Sequence, residues 1–276
     1  MIRQLALASC LALLVGCAGT PTSTAPASAA AVSASSFDGV LAGSWRDPAN
    51  VARDRYRHPA ETLAFFGVAP GQTVIEITPS GGWYTELLAP YLAKNGQYIG
   101  AMPAAAPESG GGKRNAALRQ KLAGNPVYGS ARLIEFDAKA PVFGPAASAD
   151  VVLTFRNLHN WLAAGTTEYH LRAAYDALKP GGVLGVVDHR AKPGTDIETS
   201  KKSGYVSEQL VIDLAGEVGF ELEARSEVNA NPKDDTDHPN GVWTLPPVNR
   251  HDAADAAIYK MIGESDRMTL RFRKPR

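Results

Sequence analysis

The chain has 276 residues, enough for one sizeable domain with a full hydrophobic core. Lys plus Arg and Asp plus Glu number 28 each, so no net field draws it to nucleic acid or to an acidic membrane surface. Its 45% hydrophobic and 20% charged residues are those of a globular chain.

The first segment carries Arg3 and an apolar run over Leu5–Val15. That run is too short to cross roughly 30 Å of hydrocarbon as a helix, so it is expected to be an export signal. Leu14-Val15-Gly16-Cys17 resembles the lipobox of bacterial lipoproteins, in which the cysteine is lipidated and becomes the new N-terminus. Residues 1–16 are therefore expected to be a signal peptide. Residues 17–36, almost wholly Ala, Ser, Thr, Pro and Gly, form a tether too polar and small to offset its ordering entropy. Lipid on Cys17 would hold the protein at the membrane on the periplasmic side of the envelope. Ala18 and Gly19 after the cysteine, with no Asp in second position, point to the outer membrane. Loss of the leader removes Cys10 and leaves one cysteine, which excludes a disulfide or a Cys-ligated metal site. The folded domain is expected over residues 37–276.

Within that domain, His58-Pro59-Ala60-Glu61 opens a helix that Gly67 ends. Thr73–Thr78 is a β-branched run after Pro70-Gly71 and predicts a buried strand. From about Gly82 a helix follows with Leu87, Leu88, Tyr91 and Leu92 on one face, stopped by Asn95-Gly96. Gln97–Met102 reads as the second strand, Asn115–Leu122 as a helix, Arg132–Phe136 as the third strand and Val151–Phe155 as the fourth. Glu168–Leu178 is helical up to a Lys179-Pro180-Gly181-Gly182 stop, with strand Val183–Val187 behind it. Helix Glu208–Val218 and strands Glu221–Ser226 and Met268–Arg273 complete the pattern. Strands alternating with helices predict a doubly wound, mostly parallel, seven-stranded α/β sheet with helices on both faces.

Ligands of such sheets bind outside the carboxyl ends of the strands, at the switch point after the first. The loop there is Glu76-Ile77-Thr78-Pro79-Ser80-Gly81-Gly82-Trp83. Gly81 and Gly82 let backbone approach a ligand, and the next helix offers free N–H groups to an anion. His159 after the fourth strand and His189 after the fifth suit a general base, since an ordinary imidazole titrates near neutrality. Arg156 and Arg190 beside them suit an anionic group. His58, His170 and His251, on or beside helices, read as structural or solvated. A metal site would need Asp188, His189, Asp237 and His238 to converge, which no dense ligand spacing supports, so no metal is expected. Residues 229–247 are long for a bare connection and suit a lid or binding loop, where Trp243 either covers a ligand or docks the loop.

The succession of the β1 loop, Phe136-Asp137-Ala138, Phe155-Arg156-Asn157-Leu158-His159-Asn160-Trp161, Leu178-Lys179-Pro180-Gly181-Gly182 and Val186-Val187-Asp188 resembles the class I S-adenosylmethionine-dependent methyltransferases over roughly Pro70–Ser226. More narrowly, Arg57-His58-Pro59, Gly82-Trp83-Tyr84-Thr85-Glu86, Arg156-Asn157-Leu158-His159 and Asp188-His189-Arg190-Ala191 resemble a bacterial branch of predicted methyltransferases. The resemblance implies S-adenosylmethionine as cofactor, held by Glu76, Thr78, Ser80, Gly81, Gly82, Tyr84, Asp137, Ala138, Arg156 and Asn157. His159, His189 and Arg190 would act on a small-molecule acceptor. Two departures stand out. Aligned on Glu76, the family's three loop glycines fall on Thr78, Ser80 and Gly82, and only the last is glycine. The second strand ends Gly100-Ala101-Met102-Pro103, without the carboxylate that the family uses on the ribose. These departures leave a second expectation open, a fold turned to binding a periplasmic ligand without methyl transfer. Phe155-Arg156-Asn157-Leu158 replaces the Asn-Pro-Pro-Tyr type of sequence used on flipped bases, which argues against a nucleic-acid acceptor.

Overall fold

The computed structural model describes residues 37–276. The expected leader, lipobox and tether lie outside these residues. Helices α1 (Phe37–Leu41), α2 (Pro48–Val51), α3 (Asp54–Arg57) and α4 (Pro59–Phe65) precede the sheet. Then come β1 (Thr73–Ile77), α5 (Thr85–Leu92), β2 (Gln97–Pro103), α6 (Gly110–Ala123), β3 (Arg132–Phe136) and β4 (Ala149–Phe155). The second half runs α7 (Leu158–Ala164), α8 (Thr167–Ala177), β5 (Leu178–His189), α9 (Ile197–Ser203), α10 (Glu208–Val218), β6 (Glu221–Ser226), α11 (Ala256–Ile262) and β7 (Arg267–Arg273). Strand order is β3-β2-β1-β4-β5-β7-β6, parallel throughout except β7, which runs antiparallel to β5 and β6. Among the described residues, no helix is long and apolar enough to cross a membrane.

Neighbouring residues of the central strands serve opposite faces, as the two-residue strand period requires. Val74, Val151, Leu153, Val183 and Val187 pack under α1, α4 and α5, against Leu63, Phe66, Leu87, Leu88 and Leu92. Ile75, Val152, Leu184 and Val186 pack under α7, α8 and α10, against Leu158, Leu171, Ala174, Val211 and Ala215.

Three boundaries differ from the sequence reading. The Lys179-Pro180-Gly181-Gly182 stop is absorbed into β5: Gly181, at φ +76°, donates to the Lys274 carbonyl at 2.9 Å, the Lys274 amide donates to the Gly182 carbonyl at 3.0 Å, and the β4–β5 register shifts between Ala149 and Val151. A short helix, α7, starts directly after β4. Its early His159 N–H donates to the Asp188 carboxylate at 3.1 Å, a cap supplied from another strand. Residues 229–247 are pinned by buried Asp234, which accepts from Tyr205 Oη (2.9 Å) and His238 Nε2 (2.8 Å) and from the amides of Thr236 and Asp266.

Candidate functional site

The carboxyl ends of β1 to β4 open into a cavity of about 730 Å³. Thr78, Pro79, Ser80 and Gly81 of the β1 loop line it, with Glu76 beneath them. Thr78, Ser80 and Gly82 stand at φ +52°, +55° and +81°. Left-handed backbone at three alternate residues is natural for glycine and costly for a threonine or serine. A Cβ built on Gly81 meets nothing within 4 Å, so this wall has room for a ligand pressed against the backbone. A Cβ on Gly82 would meet Leu118 Cδ1 at 2.8 Å, and Gly82 itself does not line the cavity. Asn157 fastens the loop to β4 by donating from Nδ2 to the Ile77 carbonyl at 3.0 Å.

Glu76 is buried and accepts from Tyr98 Oη (2.7 Å) and Thr85 Oγ1 (3.1 Å). Burial raises its carboxyl to about 7, and these two hydrogen bonds oppose the rise.

Two sets of residues make up the rest of the wall. In the first, Trp161 stacks on His170 at 4.5 Å and Phe136 meets the same imidazole edge-on at 5.7 Å, with Ala138 and Met102 nearby on the lining. Asn115 also lines the cavity, donating from Nδ2 to the Pro103 carbonyl at 2.9 Å. In the second, Tyr84 stacks on Phe155 at 3.5 Å and meets Trp83 edge-on at 4.5 Å. Arg57 lies over the Trp83 ring at 4.7 Å, and Asn50, Arg53 and Arg156 complete this end.

No family model matches the sequence, and no curated protein matches it significantly. Solved structures do match. A SAM dependent methyltransferase from Aquifex aeolicus aligns over 87% of this chain and 98% of its own, with TM-score 0.56 at 13% identity. The (4+2)-cyclase SpnF aligns over 79% and 81%, with TM-score 0.57 at 15% identity. The chain has the class I methyltransferase fold.

In this class I fold the cavity occupies the switch point after β1. Of the cofactor residues named from sequence, Glu76, Thr78, Ser80, Gly81, Tyr84, Ala138, Arg156 and Asn157 line it. Asp137 does not. Its exposed carboxylate accepts from the Lys139 amide at 2.9 Å and closes its own turn. The three residues named for catalysis also stay off the lining. Arg190 is committed to Glu227 (2.8 and 2.9 Å) and Asp266 (2.9 and 3.1 Å), a clamp that ties the end of β5 to residues flanking β6 and β7. His189 is buried; its Nδ1 bonds Ser265 Oγ at 2.5 Å and its Nε2 accepts from Arg156 Nε at 3.4 Å. Burial, then His159 and Arg156, push its pKa well below the ordinary histidine value, so at neutral pH the ring is uncharged with both nitrogens engaged. His159 donates from Nδ1 to Asp188 Oδ1 at 2.8 Å, and its Nε2 has no partner among the described residues.

His159, Asp188 and His189 bring one ligand atom each within 4.8 Å, and so do Asp234, Asp235 and His238. In the first group the carboxylate and both of His189's nitrogens already have partners. Asp237 joins neither group. Trp243 sits 6.2 Å from the His159 ring and off the cavity lining, so it docks its loop; Pro247 is the residue from that segment that reaches the cavity.

The sequence reading passed over Arg53, Asn50, Asn115 and Trp161, and assigned His170 a structural part. Arg53 and Arg57 are four residues apart, a spacing that puts both on one side of a helical turn. That spacing was the available signal.

Proposed function

We propose that this chain is an S-adenosylmethionine-dependent methyltransferase acting on a small-molecule acceptor. The retained left-handed backbone at Thr78, Ser80 and Gly82 carries the reading. Strain persists where the surroundings enforce it, and it clusters at ligand clamps. Two residues lost as glycines keep the glycine conformation, beside a Gly81 wall that is open to a ligand. Bound S-adenosylmethionine supplies an electrophilic methyl group on its sulfonium.

The chain's own residues divide the remaining work. The Thr78–Gly81 backbone cradles the amino-acid part, with Glu76 offering a carboxylate to a cationic amine. Phe136, Ala138, Trp161 and Met102 form an apolar slot for the adenine. Asn115 offers an amide oxygen where the family's ribose carboxylate is missing. Tyr84, Phe155 and Trp83 exclude water from the transfer end, which sharpens alignment of acceptor and methyl carbon. His170 is the neutral imidazole on the lining: burial lowers its pKa, and its Nδ1 donates to the Thr166 carbonyl at 2.8 Å.

The decisive experiment is calorimetric titration of S-adenosylmethionine and S-adenosylhomocysteine into wild type and Gly81→Val. Gly81 is not at positive φ and its Cβ space is empty, so valine should fold normally while filling the wall. Micromolar binding by wild type and a loss of at least about tenfold in Gly81→Val is the expected result. Equal binding by both proteins would remove the cofactor from this loop. No binding by folded wild type up to millimolar concentration would favour the second reading, a periplasmic binding protein, which the absent ribose carboxylate supports. We further propose lipid attachment at Cys17 and a periplasmic, outer-membrane location, resting on the Leu14–Cys17 motif alone. Cys17→Ser should release the protein from the membrane fraction; retention there would count against the anchor.

A further inference from the structure

At the Trp83 end of the cavity, three guanidinium groups, Arg53, Arg57 and Arg156, line the wall within electrostatic reach of one carboxylate, Glu264. Behind them lies Glu264, buried and off the lining. It receives Arg53 Nε at 2.6 Å, Arg57 Nε at 3.1 Å and Arg267 Nη1 at 3.3 Å. Asp188 is the second carboxylate in reach, and it is already bonded by His159 and by the His189 amide. Four buried or half-buried cations therefore meet these two carboxylates, with Glu76, raised to about 7 by its burial, the third carboxyl within reach of Arg57. Burying unbalanced charge is costly unless something pairs it.

Three observations describe the guanidinium groups that carry the imbalance. Arg53 Nη2 is buried with no hydrogen-bond partner. Arg156 spends only Nε on the protein, leaving both of its terminal nitrogens without a protein partner. Its backbone sits at φ +61°, a left-handed conformation that aims the residue from the end of β4. Arg57 is 5% exposed, fixed in place by Glu264 on one side and the Trp83 face on the other. Crowding is visible in the titration as well. Burial, and then the neighbouring arginines against Glu264, lower Arg57 to about 9, while Arg57, Arg267 and Arg53 overcome burial and hold Glu264 down to about 2.

We propose that this end of the cavity is an anion pocket, in which Arg53, Arg57 and Arg156 grip the carboxylate or phosphate of the small molecule the protein acts on. Guanidinium forks match such groups in a plane and bind them by paired, charge-assisted hydrogen bonds. Glu264 is the pocket's resident stand-in: it orients two of the forks from behind and leaves their outward nitrogens for the ligand. The acceptor is then a small organic acid or phosphate ester, seated with its charged group against the arginines and its reacting atom toward the β1 loop. The seating rests on the methyltransferase reading; the pocket itself does not.

The test is titration of inorganic phosphate, and separately succinate, into the protein in a chloride background. Millimolar or tighter binding is expected, weakened at least about tenfold in Arg156→Gln, which strands no carboxylate. Glu264→Gln should bind phosphate at least about threefold more tightly, a gain that misfolding cannot imitate. Binding absent up to about 50 mM, or unaltered in Arg156→Gln, would overturn the pocket. A repeat with saturating S-adenosylhomocysteine separates the two sources of a carboxylate. Phosphate still bound assigns the arginines to the acceptor, and mutual exclusion gives them to the cofactor's own carboxylate and overturns the proposal. Phosphate binding without any S-adenosylhomocysteine binding would defeat the methyltransferase reading and leave the pocket intact.

Discussion

Thr78 illustrates how a residue can be wrong by identity and right by conformation. Left-handed backbone costs an L-residue about 1–2 kcal/mol, and a branched β-carbon makes the crowding worse. The strain is held by neighbours: the Thr78 amide donates to the Ala101 carbonyl at 2.7 Å, and Asn157 pins the preceding Ile77 carbonyl. Replacing Thr78 by glycine removes the crowding and adds about 0.5–1 kcal/mol of backbone entropy to the unfolded chain. The balance favours the variant. Thr78→Gly should therefore raise stability by about 0.5–1 kcal/mol, read as a higher urea midpoint at unchanged m-value. A lower midpoint would mean the threonine side chain contributes more than its backbone costs. Counting glycines in the β1 loop suggests a loop that has lost its glycine backbone, whereas the φ angles show left-handed backbone at Thr78, Ser80 and Gly82 alike. Sequence carries residue identity, and the enforcing contacts here come from β2 and β4, 20 to 80 residues away.

At the scale of elements, the sheet was legible because its central strands carry short apolar, β-branched runs (Val74-Ile75, Val151-Val152-Leu153, Val183-Leu184) and each α/β crossover had to be right-handed. The candidate site was half legible. Its floor follows from the switch-point rule, so Glu76, Thr78, Ser80, Gly81 and Asn157 could be named in advance. Its other wall comes from α2 and α3, two four-residue helices with no periodicity to read. These hold position through α5. Buried Glu86 accepts from the Asp47 amide and Asn50 Nδ2, the Trp83 indole donates to the Asn50 carbonyl at 2.8 Å, and Lys121 closes on Glu86 from α6. This is what brings Arg53 and Arg57 over the mouth of a sheet whose strands begin at residue 73. The histidines lie off the lining for the related reason that a strand-end position says nothing of direction. Asp188 draws His159 to itself and supplies the α7 cap, and Ser265 and Arg156 take up His189. Neither imidazole lines the cavity, and His189 sits against Arg156, which does.

Glu76 and His189 are buried groups that titrate in opposite senses. Glu76 has its folded pKa raised to about 7 from an ordinary 4.5. The native state holds a proton that the unfolded chain has released, so this contribution is full below about 4.5 and is lost as pH rises toward 7. Over the interval it amounts to about 3 kcal/mol. His189 has its folded pKa lowered well below 6.5. Its contribution is full above 6.5 and is lost as pH falls, because the unfolded chain then takes up a proton that the native ring refuses. Between about pH 5 and 6.5 the Glu76 slope opposes that of His189, each by up to about 1.4 kcal/mol per pH unit, and His170, lowered by burial as well, adds to the His189 side. Single variants unmask each half. Glu76→Gln keeps an acceptor for Tyr98 and Thr85 and should make stability rise with pH across this window. His189→Asn should shift the slope downward relative to wild type. Urea midpoints at three pH values in the window, for wild type and both variants, provide the measurement. The slopes decide the question whatever each variant loses in absolute stability, and parallel lines for all three proteins would show that neither group is held in its perturbed state.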